Sequence, residues 1–420
     1  MNRPDIKRLP KRANPLEAQK QLLDAVRSSS LSSEKVPLQE ALGRVLAEDV
    51  VSAVDIPEYD KTFIDGYAIN PAETQGASAA KPAAFKIVGK LFPSDYPTKT
   101  EVGRGEAVYV ACGSPIPRGA AATVKVEETR LKGDAIEVVR EIALGEGVIP
   151  RGDDVKSGAV VFKRGQVLRP QDLGLLASIG MTVVDVVKKP RIAILSGGDE
   201  LIRQCQKTPA KIANNYALVV AGLASELGAD AKLLGIMPDA LPQVQAQIRG
   251  ALADADIVVT IGGSSVGIKD FVPDAINALG KPGVVVQGIL LRPGAVSGFG
   301  IINGKPVVML PGHIGSCIAG FYLFIAPLIS HFSRGDRLPR LSAELTLALE
   351  TGPQFRFLLV RIQRVNGTLV AQPIEGGSSA LTTIVKSNGY TIVPPHTTLA
   401  RGAELEVCLF GELEFSQVNA

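Results

Sequence analysis

From Lys189 to about Arg334 the chain alternates short β-branched runs with helical ones, and this alternation restricts the fold more than any other feature. "RIAILS", "AKLLGI", "DIVVTI", "GVVVQGI" and "PVVML" read as strands. Between and after them "NNYALVVAGLASELG", "LPQVQAQIRGALADA", "DFVPDAINAL" and the apolar "GSCIAGFYLFIAPLI" read as helices. Each helix carries the chain back to the starting edge, so successive strands pair in parallel. A central α/β domain with a mostly parallel sheet is expected over 189–335.

The flanks differ in texture. Between Val51 and Val155 the runs "FKIVG", "AVYVAC", "ATVKVEE" and "AIEVV" are separated by Gly and Pro, which predicts a small β domain over 53–154. "NPLEAQKQLLDAVRS" predicts a helix capped by Asn14 with Pro15 in its first turn. "LQEALGRVLAEDV" predicts a second helix and "RPQDLGLLASIG" a third, giving an N-terminal linker domain of 14–52 with 155–188. After Leu341, "ELTLALE", "FLLVRIQRV", "TLVAQPI", "GYTIVPP" and "ELEVCLF" predict a C-terminal β domain, a barrel or a sandwich, over 336–420. Residues 1–13 are basic and expected to be a disordered tail. The fold class is thus multidomain, α/β plus β, as 420 residues allow.

Composition narrows the chemistry. With 45 basic and 42 acidic residues the net charge is only +3, and aromatics are 5%, so no nucleic-acid partner is expected. Cys112, Cys205, Cys317 and Cys408 form no CxxC pair, which fits a reducing cytoplasm rather than a zinc site or disulfide framework. No apolar stretch follows the basic N-terminus, so no secretory signal is expected. The late apolar run has about the length of a buried helix, so no membrane span is expected either.

In open α/β sheets ligands sit outside the carboxyl ends of the strands. Three such ends are rich in glycine: "ILSGGDELI" with Gly197 and Gly198, "TIGGSSVGIKD" with Gly262, Gly263 and Gly267, and "VMLPGHIGS" with Pro311 and Gly312. Bare amides at a helix start bind anions, and Ser264, Ser265 and Ser316 add hydroxyls. The carboxylates Asp199, Glu200 and Asp270 lie beside these loops, as an anion held with a divalent cation requires. No dinucleotide fingerprint and no P-loop is present.

Several of these residues have simpler roles open to them. Asp199 and Glu200 suit a helix start, Asp270 suits an N-cap before Phe271, and Asp65 suits a turn before Gly66. Cys112 reads as a small buried filler. His313 is either a ligand contact or a polar filler, and Arg292, at a strand end before Pro-Gly, reads as an anion contact.

Seven segments, in order and over almost the whole chain, resemble the molybdopterin molybdenumtransferase family (MoeA, related to the gephyrin E-domain and plant Cnx proteins). They are "IPEYDKTFIDGYAI", "ACGSPIPRGA", "PRGDDVKSG", "PRIAILSGGDEL", "DIVVTIGGSSVGIKDF", "LPGHIGS" and "GGSSALTTIVKSNGYTIVP". The resemblance implies a central domain similar to MoaB and MogA and an elongated homodimer. It also implies Mg²⁺-dependent insertion of molybdate into adenylylated molybdopterin, with release of AMP. In that scheme Asp199, Glu200 and Asp270 are metal or molybdate-site carboxylates, and Asp65, with Asp154, comes from the N-terminal half. Molybdopterin adenylyltransferase and client molybdoenzymes are the implied partners. The sequence departs from the family at "LLRPGAVSG", where Ala295 and Val296 replace Lys and Pro. His313 and Ile314 replace Asn-Pro, Cys112 a Thr, Gly197 another Thr, Ala122 an Asp, and Asp153 a Glu. A non-catalytic carrier of molybdopterin or its cofactor is the alternative these changes suggest, and a gephyrin-like scaffold is a third reading.

Overall fold

The computed structural model describes residues 11–202, 212–374, 376 and 379–415, except the side chains of 414 and 415. Its contacts form two compact units, one within 1–34, 43–45 and 186–420, the other of 35–42 and 46–185.

In the first unit a six-stranded sheet runs Asp230–Met237, Arg191–Gly197, Ile257–Ile261, Lys305–Leu310, Gly298–Ile302, Pro282–Gln287. The first four strands are mutually parallel, Gly298–Ile302 runs antiparallel to them, and Pro282–Gln287 pairs antiparallel with Gly298–Ile302. Side chains alternate across the pleat. Ile192, Ile194, Ile257 and Val259 therefore enter one core, with the helix Asn215–Glu226 and the long helix 314–333. Ala193, Leu195, Val258 and Met309 enter another, beneath Leu241–Asp254 and Val272–Leu279. Covering on both faces explains why "IVVTI" is buried at every position. The strand Gly298–Ile302 was not legible, because Gly298 and Gly300 look like breakers. Both are packing glycines: a Cβ on Gly298 would lie 2.2 Å from the Val286 carbonyl oxygen, and one on Gly300 2.5 Å from Ile276.

The helix 314–333 is long and apolar enough to cross a membrane by length and composition, yet most of it is buried in this core, with a π turn at Phe321–Ile325. The first helix, Pro15–Ala25, is capped by Asn14, whose side chain accepts from the Leu16 and Glu17 amides at 2.9 and 3.4 Å. Of the tail expected over 1–13, residues 1–10 lie outside the described residues, and Ala13 is hydrogen bonded to Gly288 and Leu290.

The C-terminal barrel closes through five strands: Phe355–Val365, Thr368–Pro373, Arg340–Leu345, Glu404–Leu409 and Gly389–Val393, the last returning to Phe355–Val365. Val360, Ile362, Ala371 and Val407 fill it. The short strand Leu291–Arg292 pairs in parallel with the start of Phe355–Val365, bringing Arg292 into register with Arg356.

The second unit holds a six-stranded mixed sheet, in the order Ala122–Lys125, Gly66–Ile69, Glu106–Val110, Ala83–Leu91, Ala135–Val138, Thr129–Lys132. The helix expected over "LQEALGRVLAEDV" is a correction. Only the 3₁₀ turn Leu38–Glu40 forms. Gly43 takes φ +70°, and the Leu46 and Ala47 amides bond to Gln166 and Asp185 carbonyls instead of to the preceding turn. The helix Pro170–Ser178 forms as expected. The Asp172 carboxylate accepts from the Arg169 amide at 2.8 Å and from its guanidinium at 3.0 Å.

The Arg169 guanidinium, opposed by burial, holds the Asp172 carboxyl below the usual carboxylate range. A depressed folded pKa stabilises above the unfolded value, so the contribution is present at neutral pH and fades as pH falls below about 4. Asp172→Ala is expected to lower stability by about 1.5–3 kcal/mol at pH 7, the range for hydrogen bonds to a charged group. The deficit should shrink in acid, which urea melts at several pH values will measure.

Candidate functional site

Topology places the ends of Arg191–Gly197, Ile257–Ile261 and Lys305–Leu310 side by side. The three glycine-rich loops therefore meet. A Cβ on Gly262 would lie 3.0 Å from the Gly197 carbonyl oxygen, and one on Gly312 3.9 Å from the Gly262 Cα. Gly262 adopts φ +84° and Gly263 φ +69°, the left-handed region that favours glycine. The glycines thus serve the approach of loop to loop as well as an exposed rim. Ser264 is buried, which leaves Ser265 as the half-buried hydroxyl.

The carboxylates have definite neighbours. Asp199 accepts from the Asp239 amide at 3.2 Å and lies 3.7 Å from the Lys269 ammonium, which also reaches Asp239 at 3.5 Å. Neither Asp239 nor Lys269 was singled out in the sequence. Asp199 and Glu200 do not start a helix: the short strand Leu201–Ile202 follows them, and the Glu200 carboxylate folds over Gly198. Asp270 is not the N-cap either. That position is Phe271, and Asp270 turns back to accept from the Gly267 amide at 2.6 Å, bracing its own loop. Among the described residues no group of three or more Asp, Glu, His or Cys could by itself hold a metal ion.

Beside the third loop opens a cleft of about 1140 Å³ between the sheet's strand ends and the barrel. Arg292, Pro311 and Ser316 line it, as do His313, Arg356 and Glu350. His313 stands immediately before the helix Ile314–Gly320, and the Ser379 hydroxyl lies 2.9 Å from its Nδ1. His313 is thus held by the Ser-rich turn of the barrel. Arg356 had no sequence signal, since a strand pattern does not say which alternate face borders a cleft.

In the second unit Asp65 is exposed, and its Oδ1 accepts from the Cys112 amide at 3.0 Å. Cys112 is exposed, not a buried filler, because its turn is tied to Asp65 through the backbone and leaves the thiol outside. Gly66 is a packing glycine, with the Val124 carbonyl oxygen 2.1 Å from where a Cβ would project. Asp154 is exposed. Cys317 is buried, its thiol pushed up to about 12 by desolvation, and Cys205 lies outside the described residues.

Models of the "MoeA N-terminal region (domain I and II)", the "Probable molybdopterin binding domain" and the "MoeA C-terminal region (domain IV)" match residues 14–180, 193–331 and 342–410. The molybdopterin molybdenumtransferase of Staphylococcus aureus (strain COL) is 31% identical over 383 residues, 91% of this chain and 87% of that protein. The chain belongs to the MoeA family. The molybdopterin molybdenumtransferase of Bacillus subtilis is 30% identical over 390 residues, 90% of each chain. The crystal structure of the molybdopterin biosynthesis MoeA protein of Pyrococcus horikoshii OT3 superposes with a TM-score of 0.80 at 30% identity, covering 95% of this chain and 100% of that one. As a MoeA-family member the chain is a transferase of molybdenum cofactor biosynthesis.

Gly262→Ala is expected to cost about 1–2 kcal/mol from the left-handed backbone alone. The approach to Gly197 adds to this, and a lowered urea midpoint is the readout.

Proposed function

We propose that this MoeA-family chain inserts molybdate into adenylylated molybdopterin and releases AMP. The observation that carries the reading is that Arg292, Ser316 and the start of the helix 314–333 line one cleft. A guanidinium, a hydroxyl and helix-start amides are the donors an oxyanion requires. Arg292 neutralises the oxyanion, and the Gly315 and Ser316 amides, which have no acceptor within the helix, orient it. The glycine loops alongside let a large ligand approach the backbone.

Mg²⁺ commonly takes one or two protein carboxylates and completes its shell with substrate phosphates and water, so no three-ligand protein site is required. Asp199, Glu200 and Asp270 are the carboxylates that would hold it, and it would supply charge neutralisation at the adenylate. Lys269 beside Asp199 competes for that carboxylate until substrate arrives. Asp65, in the other unit, is proposed as a further catalytic carboxylate, and the assembly as a cytoplasmic homodimer. One observation favours the carrier reading: Ala295, on the cleft wall, offers no charge where the resemblance places a lysine.

Purified protein given adenylylated molybdopterin, Mg²⁺ and molybdate should release AMP, and EDTA should stop it. Arg292→Ala should slow molybdate-dependent turnover by about 100-fold. Pterin retained tightly with no AMP formed would select the carrier. Light scattering should give twice the chain mass.

A further inference from the structure

Behind the cleft lies a second, separate cavity. Phe357 lines the cleft, and its ring stacks on Tyr390 at 5.0 Å, which stacks on Tyr322 at 4.5 Å. Tyr390 and Tyr322 in turn line a cavity of about 450 Å³. It lies within the first unit, where the first helix, the helix 314–333 and the barrel meet. Its size is that of a small-molecule pocket.

Most hydrogen-bonding groups of this cavity are already used by the fold. The Gln19 amide donates to the Leu323 carbonyl at 2.8 Å, and His331 Nε2 donates to the Val26 and Ser29 carbonyls at 3.1 and 3.3 Å. Arg340 is paired with Glu406 at 2.9 Å, and the Asp336 carboxylate accepts from the Leu338 amide at 3.1 Å. Two donors are left over. Tyr322 is only 3% exposed, yet among the described residues its hydroxyl has no hydrogen-bond partner. Buried phenols ordinarily find one, and leaving a polar group unsatisfied costs stability. Burial also pushes the Tyr322 phenol well above its ordinary value, so it stays a donor. Arg334 is exposed, and among the described residues no carboxylate is within ion-pair distance of it. Leu23, Ala326 and Pro327 supply an apolar wall.

We infer that this cavity is a second ligand site, for a small organic acid whose carboxylate takes the Tyr322 hydroxyl and the Arg334 guanidinium. Both open groups donate, so the ligand accepts. One of them is a cation, so the ligand is an anion. The apolar wall calls for a hydrocarbon body, which an inorganic ion lacks. The site is independent of the cleft chemistry and stands whether or not the chain is an insertase.

Titration calorimetry of the whole protein with phenylacetate is the test, with phenylacetamide and acetate as controls lacking the charge and the ring. Phenylacetate should bind with a Kd of about a millimolar or tighter, and each control about tenfold more weakly. Arg334→Gln should weaken phenylacetate binding by about tenfold, and Tyr322→Phe by about three- to tenfold, the losses of a charged and a neutral hydrogen bond. Without ligand, Tyr322→Phe should melt no lower than the wild-type chain, because it removes a hydroxyl the fold does not use. A clear drop means that the hydroxyl is spent inside the protein and overturns the inference. Arg292→Ala, in the cleft, should leave phenylacetate binding unchanged. Binding lost there, with Arg334→Gln silent, places the acid in the cleft and overturns the second site. No binding of phenylacetate, or equal binding of phenylacetamide, overturns it as well.

Discussion

Three loops packed backbone against backbone set the geometry on which everything else in the α/β unit depends. Gly197, Gly262 and Gly312 come together because their strands are neighbours in a parallel sheet, and at Gly262 a side chain would crowd the Gly197 carbonyl. The approach fixes where the third loop turns into the helix 314–333, and hence where Ser316 and His313 meet the cleft. Burial then holds the platform. Strands covered on both faces leave the sheet no soft side, so the roots of the loops are held firmly.

Much of this was legible in the sequence. Short β-branched runs alternating with helical ones specify a parallel sheet, and such a sheet specifies that its glycine-rich ends share an edge. The strand Gly298–Ile302 escaped because Gly298 and Gly300 serve close packing, which composition cannot distinguish from a turn. The false helix after Leu38 shows the converse: apolar spacing was adequate, but Gly43 and the long-range bonds of Leu46 and Ala47 took the backbone elsewhere.

Side-chain partnerships were harder to read than loops. Asp199 was visible as an acid near a ligand edge, but its neighbours Lys269 and Asp239 come from two other segments. Asp270 was visible too, while its bond back to Gly267 depends on a turn that spacing alone does not define. Arg356 was invisible, since it gains meaning only when a two-residue strand from the α/β region joins the barrel. The family motifs named positions, and tertiary contacts decided what those positions touch.

That two-residue strand also ties the two walls of the cleft together. The barrel is stitched to the sheet's margin by main-chain bonds such as the Phe355 amide to the Leu290 carbonyl, 3.0 Å long. The two walls of the cleft are therefore joined at this end by backbone bonds and at His313 by a side-chain contact from Ser379.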